Sequence, residues 1–93
     1  MKSLKEIVND PATTLIDVRS PMEYNQQHIE GAANIPLEEL LYRVNELMSK
    51  PGPVVLYCHS GNRSSMVVSI LKQQRIREVY NGGGLFDMQY LLN

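Results

Sequence analysis

The stretch Tyr57-Cys58-His59-Ser60-Gly61-Asn62-Arg63-Ser64 gathers a thiol, an imidazole, two serine hydroxyls, a carboxamide and a guanidinium around one glycine. Short, hydrogen-bonding residues flanking a glycine can turn successive backbone N–H groups toward a single point. A cysteine sulfur at that point is favoured as thiolate, the form that attacks electrophiles. A lone cysteine after an apolar run is more often a small buried hydrophobe. It is the loop around this thiol that points to chemistry.

The flanking elements must aim this loop. Residues 54–57, Val-Val-Leu-Tyr, form a short apolar run between Pro51-Gly52-Pro53 and the polar residues, the pattern of a strand buried on both faces. From Ser64 onward, Met66, Val67, Val68, Ile70 and Leu71 precede Lys72, Gln73 and Gln74, which predicts a helix packed on the sheet. Cys58 then lies at the carboxyl end of a strand, before a helix start whose free N–H groups and dipole favour an anion.

Three more motifs accompany the loop: Leu15-Ile16-Asp17-Val18-Arg19-Ser20-Pro21, His28-Ile29-Glu30-Gly31-Ala32-Ala33-Asn34-Ile35-Pro36, and Gly83-Gly84. In this order, and spanning nearly the whole chain, the set resembles the single-domain rhodaneses, the thiosulfate sulfurtransferases. The resemblance implies that Cys58 is the catalytic nucleophile and carries sulfur as a persulfide. It implies a substrate-binding loop of His59, Ser60, Gly61, Asn62, Arg63 and Ser64. Asp17 and Arg19 take a supporting role beside the loop, in hydrogen bonds or ion pairs open to Glu23 or Arg63, without moving protons. Arg63, the loop's only permanent cation, is expected to face the pocket and orient the sulfonate end of thiosulfate. The alternative is a pairing with Asp17 or Glu23. No cofactor and no metal are implied. The expected partners are a small-molecule sulfur donor such as thiosulfate and an acceptor that is cyanide, a thiol or a protein thiol.

Composition narrows the classes. Ninety-three residues make one small domain, 1–93, able to bury about three-fifths of its unfolded surface. Nine basic against ten acidic residues, with no basic run, leave no electrostatic footprint for nucleic acid or an anionic membrane. One cysteine excludes an internal disulfide framework and a CxxC site, so transfer to an outside acceptor fits better than internal redox cycling. Lys5 and Glu6 interrupt what a signal peptide would keep apolar, and no stretch is long enough to span a membrane, so a cytoplasmic setting is expected. Oligomeric state is not legible.

Along the chain, Ser3-x-x-Glu6 and Ser20-Pro21-Met22-Glu23 read as capping boxes that open helices, and Asp10-Pro11 ends the first. Between them, residues 14–18 read as a strand in which Asp17, on composition alone, is a water-exposed acid. His28 is read as a structural hydrogen-bonding residue, since a base must first be within reach of its proton. A short strand ends near Ile35-Pro36.

Leu37, Leu40, Leu41, Val44, Leu47 and Met48 recur on one face, which predicts a core helix over 37–48, ended by Lys50-Pro51-Gly52-Pro53. Arg77-Glu78-Val79-Tyr80 reads as the last strand. Asn81-Gly82-Gly83-Gly84 reads as a flexible turn at the sheet edge, giving close backbone approach to the loop. No Lys-Ser/Thr pair follows the glycines, which excludes a phosphate-binding P-loop. Residues 85–92 form a terminal helix in which Met88 stands where rhodaneses often carry Trp. The alternation predicts an α/β, rhodanese-like domain with a central, mostly parallel sheet and helices on both faces.

Two other functions compete with sulfur transfer. Cysteine-loop phosphatases and arsenate reductases have one more residue between Cys and Arg than the four found here, and the tighter ring suits a lone sulfur better than a phosphoryl group. A non-catalytic rhodanese-like interaction module would usually have lost the cysteine, which this chain retains.

Overall fold

The computed structural model describes residues 2–49, 51–74 and 78–93. Lys50, Arg77 and the side chain of Met48, all used in the sequence reading, lie outside the described part. Among the described residues, four strands form one parallel sheet: β1 (Thr14–Asp17), β2 (Ala33–Asn34), β3 (Val54–Cys58) and β4 (Val79–Gly84), in the order β2-β1-β3-β4. The helices are α1 (Leu4–Val8), α2 (Pro21–Gln26), α3 (Leu37–Leu40), α4 (Val44–Ser49), α5 (Asn62–Gln73) and α6 (Leu85–Leu91). The expected α/β architecture with covered faces is present.

Because side chains alternate along a strand, β3 feeds two cores. Val54, Leu56 and Cys58 pack with Leu40, Val44, Leu47, Val67 and Leu71 of α3, α4 and α5. Val55 and Tyr57 pack on the opposite face with Ile7, Val8, Leu85 and Met88 of α1 and α6. All five β3 residues are buried, which explains the absence of alternation in their sequence. Cys58 thus points to the α5 side of the sheet.

Both capping boxes form. Ser3 Oγ accepts from the Glu6 N–H while Glu6 accepts from the Ser3 N–H, and Ser20 and Glu23 repeat the arrangement with Pro21 at the first helical position.

Two expectations need correction. The helix predicted over 37–48 is interrupted between α3 and α4. The Glu39, Tyr42 and Arg43 N–H groups donate to the carbonyls of Pro36, Glu39 and Leu40, three residues back. This tight turn keeps Leu40, Val44 and Leu47 in the core but rotates Leu41 outward, where it is 44% exposed. Periodicity reports which residues are buried and is silent on whether one ladder of hydrogen bonds joins them.

The glycine run is strand, not turn. β4 extends from Val79 through Gly84, starting after Glu78, which has a φ of 52°, and a register shift opposite Leu56 and Tyr57 leaves Gly82 as an extra residue. The glycines are needed for proximity: a Cβ on Gly84 would run into the His59 carbonyl oxygen, and one on Gly82 into Met88 and Val55. Met88, wholly buried, fills the space behind β4.

Gly84→Ala should therefore destabilise the protein by about 1–3 kcal/mol through overpacking against backbone. Urea denaturation checks this, and a midpoint equal to wild type would show that the loop and β4 can move apart freely.

Candidate active site

The sulfur of Cys58 is held by the turn that joins β3 to α5. Cys58 is completely buried. Gly61 donates its N–H to Sγ at 3.0 Å, and the Ser64 hydroxyl lies 3.4 Å from the same atom. Gly61 caps α5 with a φ of 94°, a left-handed conformation for which glycine carries no steric penalty. A Cβ there would also press within 3.2 Å of Gly83 Cα. Burial pushes the Cys58 thiol up. Hydrogen bonds from the Ser64 hydroxyl and from the Ser64, Gly61 and Ser60 N–H groups outweigh it, so the thiol sits below its ordinary value. This arrangement stabilises a negative charge on sulfur.

Asp17 and Arg19 form a second layer at the end of β1. Arg19 donates from Nε to Asp17 Oδ1 at 3.0 Å and from Nη2 to Oδ2 at 2.7 Å, and its backbone N–H also reaches Oδ1, at 2.9 Å. The Arg19 side chain is 5% exposed and that of Asp17 0%. Arg19 further donates to the Gln27 carbonyl and stands over the Tyr57 ring, 5.9 Å from its centroid. The Tyr57 hydroxyl accepts from the Ile29 N–H. Asp17 is thus no water-exposed strand end. It holds Arg19 as a clamp tying β1 to the segment after α2.

Arg63 corrects a further expectation. Its guanidinium forks onto Glu23, Nη1 to Oε1 and Nη2 to Oε2, each at 3.1 Å, in place of an open orientation toward a donor. The Arg63 hydrogen bonds hold the Glu23 carboxyl down at about 2, against burial that pushes it up and with help from Ser20. His59 is exposed and lines, with Arg19, Glu23, Leu85 and Phe86, a cavity of about 300 Å³ beside the loop. Asn62 is exposed at the start of α5. His28 stacks on Tyr24 and donates Nδ1–H to its carbonyl, on the exposed side of α2.

The family model for the rhodanese-like domain matches residues 1–88. The chain belongs to the rhodanese-like family. Among its relatives, PspE of Escherichia coli strain K12, named a thiosulfate sulfurtransferase, is 40% identical over 74 residues, covering 78% of this chain and 71% of that protein. GlpE of Coxiella burnetii, also named a thiosulfate sulfurtransferase, is 32% identical over 82 residues, covering 88% of this chain and 76% of that one. The uncharacterized YqhL of Bacillus subtilis is 44% identical over 72 residues, which is 77% of this chain and only 56% of YqhL. A solved E. coli rhodanese with anions superposes with a TM-score of 0.73 at 39% identity, over 81% of this chain and 89% of that one. The relatives support a rhodanese-like sulfurtransferase.

One residue of this rhodanese-like site escaped the sequence reading. Asn81 Oδ1 accepts from the Ser64 hydroxyl at 2.7 Å and from the Gly83 N–H at 2.9 Å, while Nδ2 donates to the Gly61 carbonyl at 3.2 Å. Asn81 therefore fastens β4 to both residues that touch the sulfur, and its position at the head of a glycine run was the one available signal. Ser64 carries a single hydroxyl proton, so Asn81 Oδ1, the Gly61 carbonyl and Cys58 Sγ share one donor. Among the described residues no cluster of His, Cys, Asp or Glu could hold a metal ion, and no helix is long and apolar enough to cross a membrane.

Ser64→Ala removes a donor to the thiolate and should move the pH midpoint of Cys58 alkylation upward. Iodoacetamide rates across pH measure it, and an unchanged midpoint would assign stabilisation of the thiolate to backbone N–H groups alone. Asp17→Asn leaves the buried Arg19 guanidinium without its charge partner and should cost about 3–5 kcal/mol in urea denaturation. A loss below 1 kcal/mol, the range of exposed pairs, would mean that water reaches Arg19.

Proposed function

We propose that the protein transfers a sulfane sulfur from thiosulfate, or a similar donor, to a thiophilic acceptor through a persulfide on Cys58. The observation that carries this reading is the sole thiol of the chain, its pKa lowered from the ordinary thiol value, held in a ring of N–H and O–H donors. In the first step the Cys58 thiolate attacks the outer sulfur of thiosulfate. A sulfur–sulfur bond to Cys58 forms, the bond to the sulfonate sulfur breaks, and sulfite leaves with that electron pair. In the second step cyanide or a thiolate attacks the outer persulfide sulfur. Thiocyanate or a new persulfide departs, and the Cys58 thiolate is restored.

In both steps negative charge stays on sulfur near the turn, so the Gly61, Ser60 and Ser64 donors serve reactant and intermediate alike. His59, Asn62 and Arg63 form the outer part of the loop that receives the donor. Asp17 and Arg19 support it from below by fixing the end of β1. On this reading the setting is the cytoplasm, where thiol acceptors are kept reduced. The four-residue spacing between Cys58 and Arg63 favours sulfur over phosphoryl transfer.

Intact mass spectrometry tests the proposal. Thiosulfate should add one sulfur atom to the wild type, cyanide or dithiothreitol should remove it, and Cys58→Ser should neither gain the mass nor produce thiocyanate. Thiocyanate turnover by Cys58→Ser would overturn the assignment.

A further inference from the structure

Both arginines beside the loop are matched to carboxylates, Arg19 to Asp17 and Arg63 to Glu23. The fork that Arg63 gives Glu23, two parallel N–H donors on two oxygens, is the geometry in which a guanidinium would bind a sulfonate. The protein's own carboxylate therefore occupies the position that an oxyanion donor would seek. Glu23 is also tied to the Ser20 N–H and hydroxyl at 3.1 Å each, so it does not swing away without cost. Protonation does not release it either, since its carboxyl titrates at about 2. The pair lies at the rim of the site: the side chains are 39% and 32% exposed, and Glu23 lines the cavity next to His59.

We propose that Glu23 is a specificity-determining residue that acts as a charge filter, disfavouring dianionic sulfur donors such as thiosulfate relative to donors with less charge on the leaving group. The inference rests on the sulfur-transfer reading and narrows its donor class. Attack of a thiolate on thiosulfate gathers three negative charges at a site where the loop guanidinium, Arg63, is already paired with Glu23. A monoanionic thiosulfonate, which carries the same sulfane sulfur on a sulfonyl group and releases a sulfinate with the electron pair of the broken sulfur–sulfur bond, brings one charge fewer past the Glu23 carboxylate. The backbone donors at Cys58 act on the transferred sulfur in either case and do not discriminate between the leaving groups.

Glu23→Gln removes the charge and keeps the shape, and glutamine also completes a capping box, so the start of α2 is retained. The measurement is the second-order rate of persulfide formation on Cys58, by quenched intact mass, with thiosulfate and with methanethiosulfonate. In Glu23→Gln the thiosulfate rate should rise about tenfold, in line with one charge-assisted hydrogen bond regained by Arg63. The methanethiosulfonate rate should rise about threefold or less, and Arg63→Gln added to Glu23→Gln should cancel both gains. A donor ratio that is unchanged, or shifted toward methanethiosulfonate, overturns the filter. The wild type gives an independent reading: after each rate is divided by that of free cysteine with the same donor, methanethiosulfonate should be preferred, and a preference for thiosulfate overturns the inference. A wild type that forms no persulfide with either donor rejects the sulfur-transfer reading and the filter together. Persulfide formation with an unaltered donor ratio in Glu23→Gln rejects the filter alone.

Discussion

A charged sulfur that is completely buried needs hydrogen-bond donors from the protein, because water cannot supply them. That requirement shapes everything near the turn between β3 and α5. Gly61 must adopt a φ of 94° to aim its N–H at the sulfur, and in doing so it brings the turn against Gly83. β4 can come that close because it has no side chains from Gly82 to Gly84. Asn81 then closes the arrangement by bonding Ser64 and Gly61 at once. Cradle and edge strand are one device, in which the glycines remove volume and the asparagine supplies connection.

The two ion pairs near the turn have different physics. Asp17 and Arg19 are buried, and each satisfies the other together with backbone groups of the same region, so their role is to fix geometry at the end of β1. Glu23 and Arg63 are about one-third exposed, so solvent weakens their attraction and their contribution to stability is small. In the filter proposed above, they act on the charge of the incoming donor. Linkage gives Glu23 a distinct signature. Its folded carboxyl is held down from 4.5 to about 2, so the stability it contributes is present above 4.5 and lost as pH falls toward 2.

The strand, loop and helix around Cys58 were legible in sequence because three local signals agreed: an apolar run, a polar turn with glycine, and a helical period from Ser64. The capping boxes were legible for the same reason, each being complete within four residues. The break between Leu40 and Val44 was not, since a tight turn preserves the buried face and leaves the pattern intact. The glycine run misled because glycine lowers strand propensity, and its justification lies in large part in His59 and Val55, which are distant in sequence. Arg63 and Glu23 are 40 positions apart, so composition offered the guanidinium two carboxylates and no means to choose. Asn81 was hidden similarly: its partners Gly61 and Ser64 lie 20 and 17 positions away.

In the proposed mechanism, backbone and hydroxyl donors of one turn hold the Cys58 sulfur as an anion. Amide chemical shifts across a pH titration observe those donors directly. The Ser60, Gly61 and Ser64 amide protons should move together, with one shared midpoint below the ordinary thiol value, while amides of α1 and α4 stay still over that range. Amides that do not respond as Cys58 titrates, or a shared midpoint above the ordinary thiol value, would show that burial outweighs the donors and that the cradle does not stabilise the thiolate.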